Sequence, residues 1–280
     1  MTRLPRLLRR PLPRPLPRLR AFPLRRPGTA APTALLAATL GALLAAASAG
    51  PAAAQGATRF TGELGAGVFS AQPVARGHDT QLTVMPYVYA EYGRWFGRVD
   101  TFGFKTLALG NGHLELVARF STEGFKADRP PLIGLRNRSN PSPLGVGTAQ
   151  SLPFGRLFVY AMHDPSSGGA LLEATFGTRV QAGALKLYPL VGVEHRTRQW
   201  VNQLYGVSAA EATATATRAY AAPASTVAVA GLAASWPLGS RLSLEGQWRH
   251  HWLDDAITRS PLAARSGQHR AYLVLTQRFD

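Results

Sequence analysis

Apolar and polar side chains alternate along most of residues 55–280, and helical periodicity is scarce there. In segment 241–252 one set of alternate positions is mostly apolar and the other is polar: Leu242, Leu244, Gly246, Trp248, His250 and Trp252 against Ser243, Glu245, Gln247, Arg249 and His251. Successive side chains of a β-strand point to opposite faces, so this pattern predicts a strand with one apolar face. The chain is therefore predicted to be all-β over residues 55–280.

Turn signals such as Gly110-Asn111-Gly112, which suits a tight hairpin, separate the strand-like segments. Several segments reach ten residues, whereas strands of soluble proteins average about 5–6 residues and tilted membrane strands need about 9–11. Eleven segments have the pattern, near 61–70, 81–92, 94–105, 112–122, 143–152, 154–163, 169–180, 183–196, 225–237, 240–253 and 268–279.

Alternation alone fits either a soluble sandwich or a membrane barrel. Aromatic residues near segment ends (Trp95, Trp248 and Trp252 among them), small residues on the strands and an aromatic close to the C-terminus favour an antiparallel transmembrane β-barrel. Charged strand residues are then expected to face the lumen, where they plug it or line a narrow pore: Glu115, Arg119, Glu173, Arg179, Lys186, Glu194, Glu245 and Arg249.

The number of strands is expected to lie between 10 and 12. Bacterial barrels have an even number of strands, with short periplasmic turns and longer outer loops, yet eleven segments is odd. If the long connections 123–142, 197–224 and 254–267 all face outward, one more crossing is needed, and 94–111 is its expected place. Twelve strands are favoured; ten result if segment 143–152 merges with its neighbour.

Residues 1–54 contain nine arginines, no acidic residue and an apolar stretch at 34–47, followed by Ala52-Ala53-Ala54. This pattern predicts a secretory signal peptide cleaved near Ala54/Gln55, with a short membrane anchor as the alternative. More than half of the formal net charge of +16 belongs to this segment. The charge therefore reflects export, and we expect no nucleic-acid partner.

The last segment, 268–279, is expected to carry the signal by which the barrel-assembly machinery recognises an outer-membrane protein. Its alternating apolar and aromatic residues are Tyr272, Leu273, Leu275 and Phe279. Asp280 follows Phe279, a slight departure from the usual terminal aromatic.

A sequence element in the second long connection carries a family resemblance. The run Tyr205-Gly206-Val207-Ser208-Ala209-Ala210-Glu211-Ala212, followed by Tyr220, resembles the MipA/OmpV family of outer-membrane proteins. The resemblance implies a barrel in the cell outer membrane, surrounded by its lipid. It also implies a scaffold that brings a murein-cleaving lytic transglycosylase together with a murein-synthesising penicillin-binding protein.

The same element can be interpreted from its residues alone. Ser208 can cap a short helix with Glu211 three residues on, the spacing of a capping box. The element then either folds back on the barrel rim or contacts a partner through Tyr205, Gly206, Val207, Ser208, Glu211 and Tyr220.

Residues with catalytic or metal-binding chemistry are scattered. His163 and Asp164 lie near Ser166 and Ser167, but sequence neighbours seldom form a nucleophile with an oriented base. His250 and His251 are adjacent on a strand, so one is expected to face the lumen and the other the lipid. We predict no catalytic, cofactor or metal site and no enzyme activity. The favoured function is a scaffold. A small channel for solutes or drugs is the alternative, and a lipid-active barrel hydrolase is the least favoured hypothesis.

Overall fold

The computed structural model describes residues 59–280, so the predicted signal peptide, 1–54, lies outside the described residues. Strands account for most of this region, as the alternation predicts. The strands are β1 (Phe60–Ala71), β2 (Gln81–Tyr92), β3 (Trp95–Arg98), β4 (Thr101–Leu109), β5 (Gly112–Arg119), β6 (Leu144–Leu152), β7 (Gly155–Asp164), β8 (Gly169–Gly177), β9 (Val180–Ala182), β10 (Leu185–Arg196), β11 (Ser225–Pro237), β12 (Leu242–Trp252) and β13 (Gly267–Phe279).

The strands pair antiparallel with their neighbours around a closed barrel, and β13 returns to pair with β1. Both β8 and β9 pair with β10, on either side of a break at Thr178–Arg179, so they form one interrupted crossing. The thirteen pieces therefore make twelve barrel strands. The favoured number is confirmed, and the alternative of ten is wrong because β6 and β7 are separate strands joined at Leu152↔Gly155.

The extra crossing lies within 94–111, as expected if the three long connections all face outward. The single strand predicted at 94–105 is wrong, because the chain turns at Val99–Asp100 and divides it into β3 and β4. Val99 has φ 60°, a left-handed conformation that disfavours a β-branched residue and that no alternation pattern reveals. β3 therefore has only four residues, against twelve in β2.

The outer surface of the barrel is apolar. Val84 on β2 is 77% exposed, and Val191, Leu232 and Leu273 on other strands are exposed as well. Charged residues occupy the alternate, inward positions; Glu115 on β5 is 1% exposed. This distribution is the inverse of a soluble sandwich and matches a lipid-facing barrel wall.

The two ends of the barrel differ in their connections. Both termini of the described chain and the short turns 93–94, 110–111, 153–154, 183–184 and 238–241 lie at one end. The long connections 120–143, 197–224 and 253–266 lie at the other, as predicted, together with 72–80. We call these four segments the outer loops, since long loops of such barrels face outward.

Three short helices lie in the outer loops: α1 (Arg198–Tyr205), α2 (Ala209–Thr215) and α3 (Asp255–Thr258). Within residues 59–280 no helix has the length and apolar character needed to span a bilayer.

Candidate functional site

The lumen of the barrel is lined by charged side chains around a cavity of about 1250 Å³. Seven of the eight charged strand residues predicted to face the lumen line this cavity: Arg119, Glu173, Arg179, Lys186, Glu194, Glu245 and Arg249. The eighth residue, Glu115, accepts a hydrogen bond from Arg98, and Arg98 also lines the cavity. The prediction of a charged lumen is therefore confirmed.

The cluster nearest the outer loops is centred on Glu123, which descends from loop 120–143. Its carboxylate accepts hydrogen bonds from Arg196 of β10 at 2.8 Å and from Arg270 of β13 at 2.5 Å. Arg196 also donates to Glu194 at 2.6 Å, and Nε2 of His251 lies 3.4 Å from Glu194. Burial alone would raise the pKa of Glu123, but the two guanidinium groups outweigh burial and hold this pKa below its usual range.

Two further ion pairs cross the lumen beside this cluster. Arg98 of β3 binds Glu115 of β5 with both guanidinium nitrogens, at 2.7 and 2.8 Å, and donates to the Tyr160 hydroxyl at 2.7 Å. Arg119 of β5 binds Glu173 of β8. Bidentate Arg–carboxylate pairs fix geometry as well as charge. The first pair therefore links β3 to β5 and the second links β5 to β8, on one side of the lumen cavity.

Apolar packing closes the end of the barrel that carries the outer loops. Helix α1 buries Trp200, Val201, Leu204 and Tyr205, and this face packs with Ile257 of α3. A second apolar cluster joins all four outer loops. Its buried members are Ala75, Phe125, Ala127, Leu132, Leu135, Val207 and Leu262. We call this layer of packed loops the cap.

The predicted capping box is present at the start of α2. The Ser208 hydroxyl accepts from the Glu211 backbone N–H at 3.3 Å, and the Glu211 carboxylate accepts from the Ser208 backbone N–H at 3.0 Å. Glu211 also accepts from Arg138 of loop 120–143 at 2.9 Å. Burial opposes ionisation of Glu211, but these hydrogen bonds and the Arg138 charge outweigh it and lower the Glu211 pKa to about 2.

The remaining residues of the family-like element lie around the same point. Arg138 donates to the Gly206 carbonyl at 2.8 Å, and Val207 and Tyr220 exchange backbone hydrogen bonds of 2.9 Å. The Tyr205 carbonyl accepts from the Ser260 hydroxyl at 2.6 Å.

The structure thus brings all six predicted residues of the element together. Tyr205, Gly206 and Val207 are buried, whereas Ser208 is exposed. Their contacts join loop 197–224 to loops 120–143 and 253–266, which is the arrangement expected of a fold-back onto the rim.

The four residues of the C-terminal segment divide between the two faces of β13. Leu273, Leu275 and Phe279 face outward, and the Phe279 ring packs edge-on against Phe60 at 5.5 Å across the closing seam. Tyr272 faces the lumen, where its ring lies 5.6 Å from that of Tyr87.

The scattered catalytic candidates serve local structure. Buried Asp164 accepts from the Ser166 hydroxyl at 2.7 Å and from backbone N–H groups of Ser142 and Ser167, so it organises a turn. His163 is exposed on the opposite face of β7.

The two adjacent histidines separate as predicted. His250 faces outward beside His269, with 3.2 Å between their ring nitrogens, and His251 is buried in the lumen. Over the described range 59–280, no three His, Asp or Glu residues are grouped so as to hold a metal ion.

Several central residues were not identified from the sequence. Arg196 is two residues from Glu194, and Arg270 is two residues from Tyr272, so both arginines face the lumen. Extending the alternation to the ends of these strands would have identified both. Glu123 and Arg138 lie in a long loop, where no periodicity indicates the direction of a side chain.

Comparison with known proteins agrees with this architecture. A family model described as "MltA-interacting protein MipA" matches residues 64–279. The chain is 25% identical over 208 residues to the "Putative outer membrane protein YiaT" of Escherichia coli K12, which covers 72% of this chain and 85% of that protein. It is 27% identical over 224 residues to the "MltA-interacting protein" of the same organism, covering 78% of this chain and 89% of that protein.

Among solved structures, the chain is similar to a "Bacterial polysaccharide outer membrane secretin", with 12% identity, a TM-score of 0.38, and coverage of 80% of this chain and 99% of the other. The family match spans most of the chain and coincides with the barrel itself. The chain therefore belongs to the MipA family of outer-membrane β-barrel proteins.

Proposed function

We propose that this protein is a non-conducting scaffold of the outer membrane that holds a murein-cleaving lytic transglycosylase at the periplasmic face of the barrel. The observation that carries the proposal is the closure of the outer end of the lumen by the cap and by the ion pairs beneath it. A relative called MltA-interacting protein aligns over 89% of its own length, which supports a partner of this class.

The topology determines which surface such a partner can reach. Murein lies in the periplasm, and the short turns and the C-terminus face that side. The element at residues 205–212 lies at the other end, so we assign it to the stability of the cap rather than to a murein enzyme. The proposed docking surface consists of turns 153–154 and 238–241, where Phe154 and Leu238 are exposed.

Site-specific photo-crosslinking in whole cells tests this assignment. A photoreactive amino acid at Phe154 or Leu238 is expected to capture a lytic transglycosylase, because both side chains face the periplasm. The matched control carries the same amino acid at Asp128, an exposed residue of an outer loop. Capture at Asp128 alone, or at none of the three positions, would contradict the proposal.

The resemblance also supports a second partner, a penicillin-binding protein that synthesises murein. If the barrel brings both enzymes together, adducts at Phe154 should pull down the synthase with the transglycosylase. Deleting the transglycosylase then reveals whether the synthase contacts the barrel directly.

A small channel is the second candidate function. It is favoured by the size of the lumen cavity and by Arg179, Lys186 and Arg249, which line the cavity without a carboxylate partner among residues 59–280. Steady single-channel conductance of the wild-type protein would favour this function over the scaffold.

A further inference from the structure

The barrel wall is incomplete beside β2. The partner strand β3 pairs only with Tyr89–Tyr92, and Val99 adds one hydrogen bond to the Val88 carbonyl. Since backbone groups alternate in direction along a strand, the polar groups of Leu82, Val84 and Pro86 point to the same side as that of Val88. On that side they have no backbone partner within residues 59–280.

This open edge forms one side of a window in the wall. The Val99–Asp100 turn is its floor, and residues 120–122, at the start of loop 120–143, form the opposite side. The outer loops form its roof, where the His78 ring nitrogen Nε2 lies 3.0 Å from the Lys126 carbonyl oxygen. The lumen cavity reaches this window, because Thr83, Asp100 and Phe120 all line it.

The window lies within the lipid-facing band. Val84 is in register with Val68 of β1, which is in register with Leu273 of β13, and all three are exposed apolar residues. Unsatisfied backbone groups are not tolerated against hydrocarbon, and irregular backbone at this depth occurs only beside protein or a water-filled cavity. The open edge is therefore expected to serve as an entrance to the lumen.

An apolar cleft of about 800 Å³ on the outside of the barrel leads to the window. It is lined by residues of β1 to β6 and extends to Tyr92 and Trp95 at the end with the short turns. Val88 and Phe102 line both this cleft and the lumen cavity. A hydrocarbon chain lying in the cleft would thus have its upper end at the window.

Inside the window, the lumen offers the positive charge of Arg249, which has no carboxylate partner among residues 59–280, beside Arg270, which is paired with Glu123. Arg249 and Arg270 stand directly opposite each other on β12 and β13, and like charges in this position repel. Each keeps a buried Nε without a hydrogen-bond partner among the described residues. Arg270 is in register with Ala71 and Ala71 with Gln81 at the upper end of the open strand, so two strand spacings, about 10 Å, separate Gln81 from Arg270, and Arg249 lies one strand further along the wall.

We propose that the window admits a single-chain anionic amphiphile, of the fatty-acid class, from the membrane. Its hydrocarbon chain lies in the outer cleft, and its carboxylate enters the lumen towards Arg249 and Arg270. Addition of a β-strand from another protein is a poorer fit, because Pro86 has no N–H and a proline weakens any ladder formed at this edge. This inference is independent of the proposed scaffold.

The test uses the full-length protein as processed by the cell, in phosphatidylcholine nanodiscs, with a diazirine-bearing palmitic acid as the probe. Adducts are expected on peptides containing 81–89 and 99–104. Arg249→Gln should lower this labelling about tenfold, the effect of losing one charge-assisted hydrogen bond. The Arg249→Gln variant should also fold, because the substitution removes the repulsion between Arg249 and Arg270. Arg179→Gln, a lumen arginine likewise without a carboxylate partner, is the matched control and should leave labelling unchanged.

Three outcomes would overturn the proposal. Labelling spread evenly over the lipid-facing strands would mean that the acid merely partitions into lipid. Equal labelling of wild type and Arg249→Gln would remove the role of the anionic end. Competition by hexadecanol, or equal labelling of the lumen by a diazirine-bearing phosphatidylcholine, would contradict the requirement for a single-chain anion.

Discussion

At the scale of single residues, Arg138 connects two outer loops that are far apart in sequence. Its guanidinium, buried at 3% exposure of the residue, binds the Glu211 carboxylate and the Gly206 carbonyl. A buried charge that loses its partner costs more than the pair contributes, because the remaining charge stays desolvated. We call this contact between the two loops the lock, and it depends on both Arg138 and Glu211.

Glu211→Gln is expected to loosen loop 197–224 while retaining a hydrogen-bonding side chain at the capping position. The loss of a charged hydrogen bond costs about 1.5–3 kcal/mol, so trypsin should cut at exposed Arg218 about tenfold faster or more. Cleavage is followed by mass spectrometry under native conditions. Asp128→Asn removes an exposed carboxylate of loop 120–143 and should not change the rate; equal rates for wild type and Glu211→Gln would contradict the role of the lock.

The same carboxylate predicts a dependence on pH. The Glu211 pKa is lowered to about 2 in the folded protein from an ordinary value of 4.5. A lowered folded-state pKa stabilises the lock above pH 4.5, and this stabilisation is lost as pH falls towards 2. Pepsin should therefore cut the loop of Glu211→Gln faster than that of wild type at pH 4, whereas the two rates should converge near pH 2. A rate ratio that stays constant over this range would exclude Glu211 as the titrating group.

At the scale of elements, the sequence predicted strands better than it predicted interruptions. Ten of the eleven segments predicted from alternation are barrel strands. The prediction succeeds because the pleated backbone of a strand places successive side chains on opposite faces. The division of 94–105 was missed, since it depends on one backbone angle at Val99. The requirement that all long connections lie at one end indicated an extra crossing there. It could not indicate that β3 has only four residues.

Val99→Gly should stabilise the β3–β4 turn by about 1 kcal/mol, because glycine adopts positive φ without the steric cost that valine incurs. Urea unfolding of the barrel in vesicles, followed by the gel shift of the folded form, measures the change. Val191→Gly is the control: it lies on β10 in extended conformation and should destabilise the barrel. If both variants destabilise it equally, the turn is not strained.

We further propose that β13 carries the assembly signal. Phe279→Ala removes the aromatic that packs on Phe60 at the seam, so the yield of folded barrel in the outer membrane should fall several-fold. The yield is read as the fraction that migrates faster unheated than boiled. Asp280→Ala should assemble normally; equal loss in both variants would assign the effect to the chain end rather than to the aromatic.

At the scale of the whole molecule, the faces of the wall were predictable and the closure of its lumen was not. The eight charged strand residues point inward because apolar alternate positions must face lipid. The closure depends on contacts between residues distant in sequence, such as Glu123 of loop 120–143 with Arg196 of β10 and Arg270 of β13. Such contacts have no period, so no pattern could distinguish a plugged lumen from an open one.

Single-channel recording in planar bilayers tests whether the cap and the lumen ion pairs close the outer end of this barrel. The wild-type protein should insert without steady conductance steps. A variant in which a short Gly–Ser linker replaces residues 198–222 should give steps, since it removes helices α1 and α2 from the cap. Steady open steps from the wild-type protein would contradict the closure of the lumen by the cap.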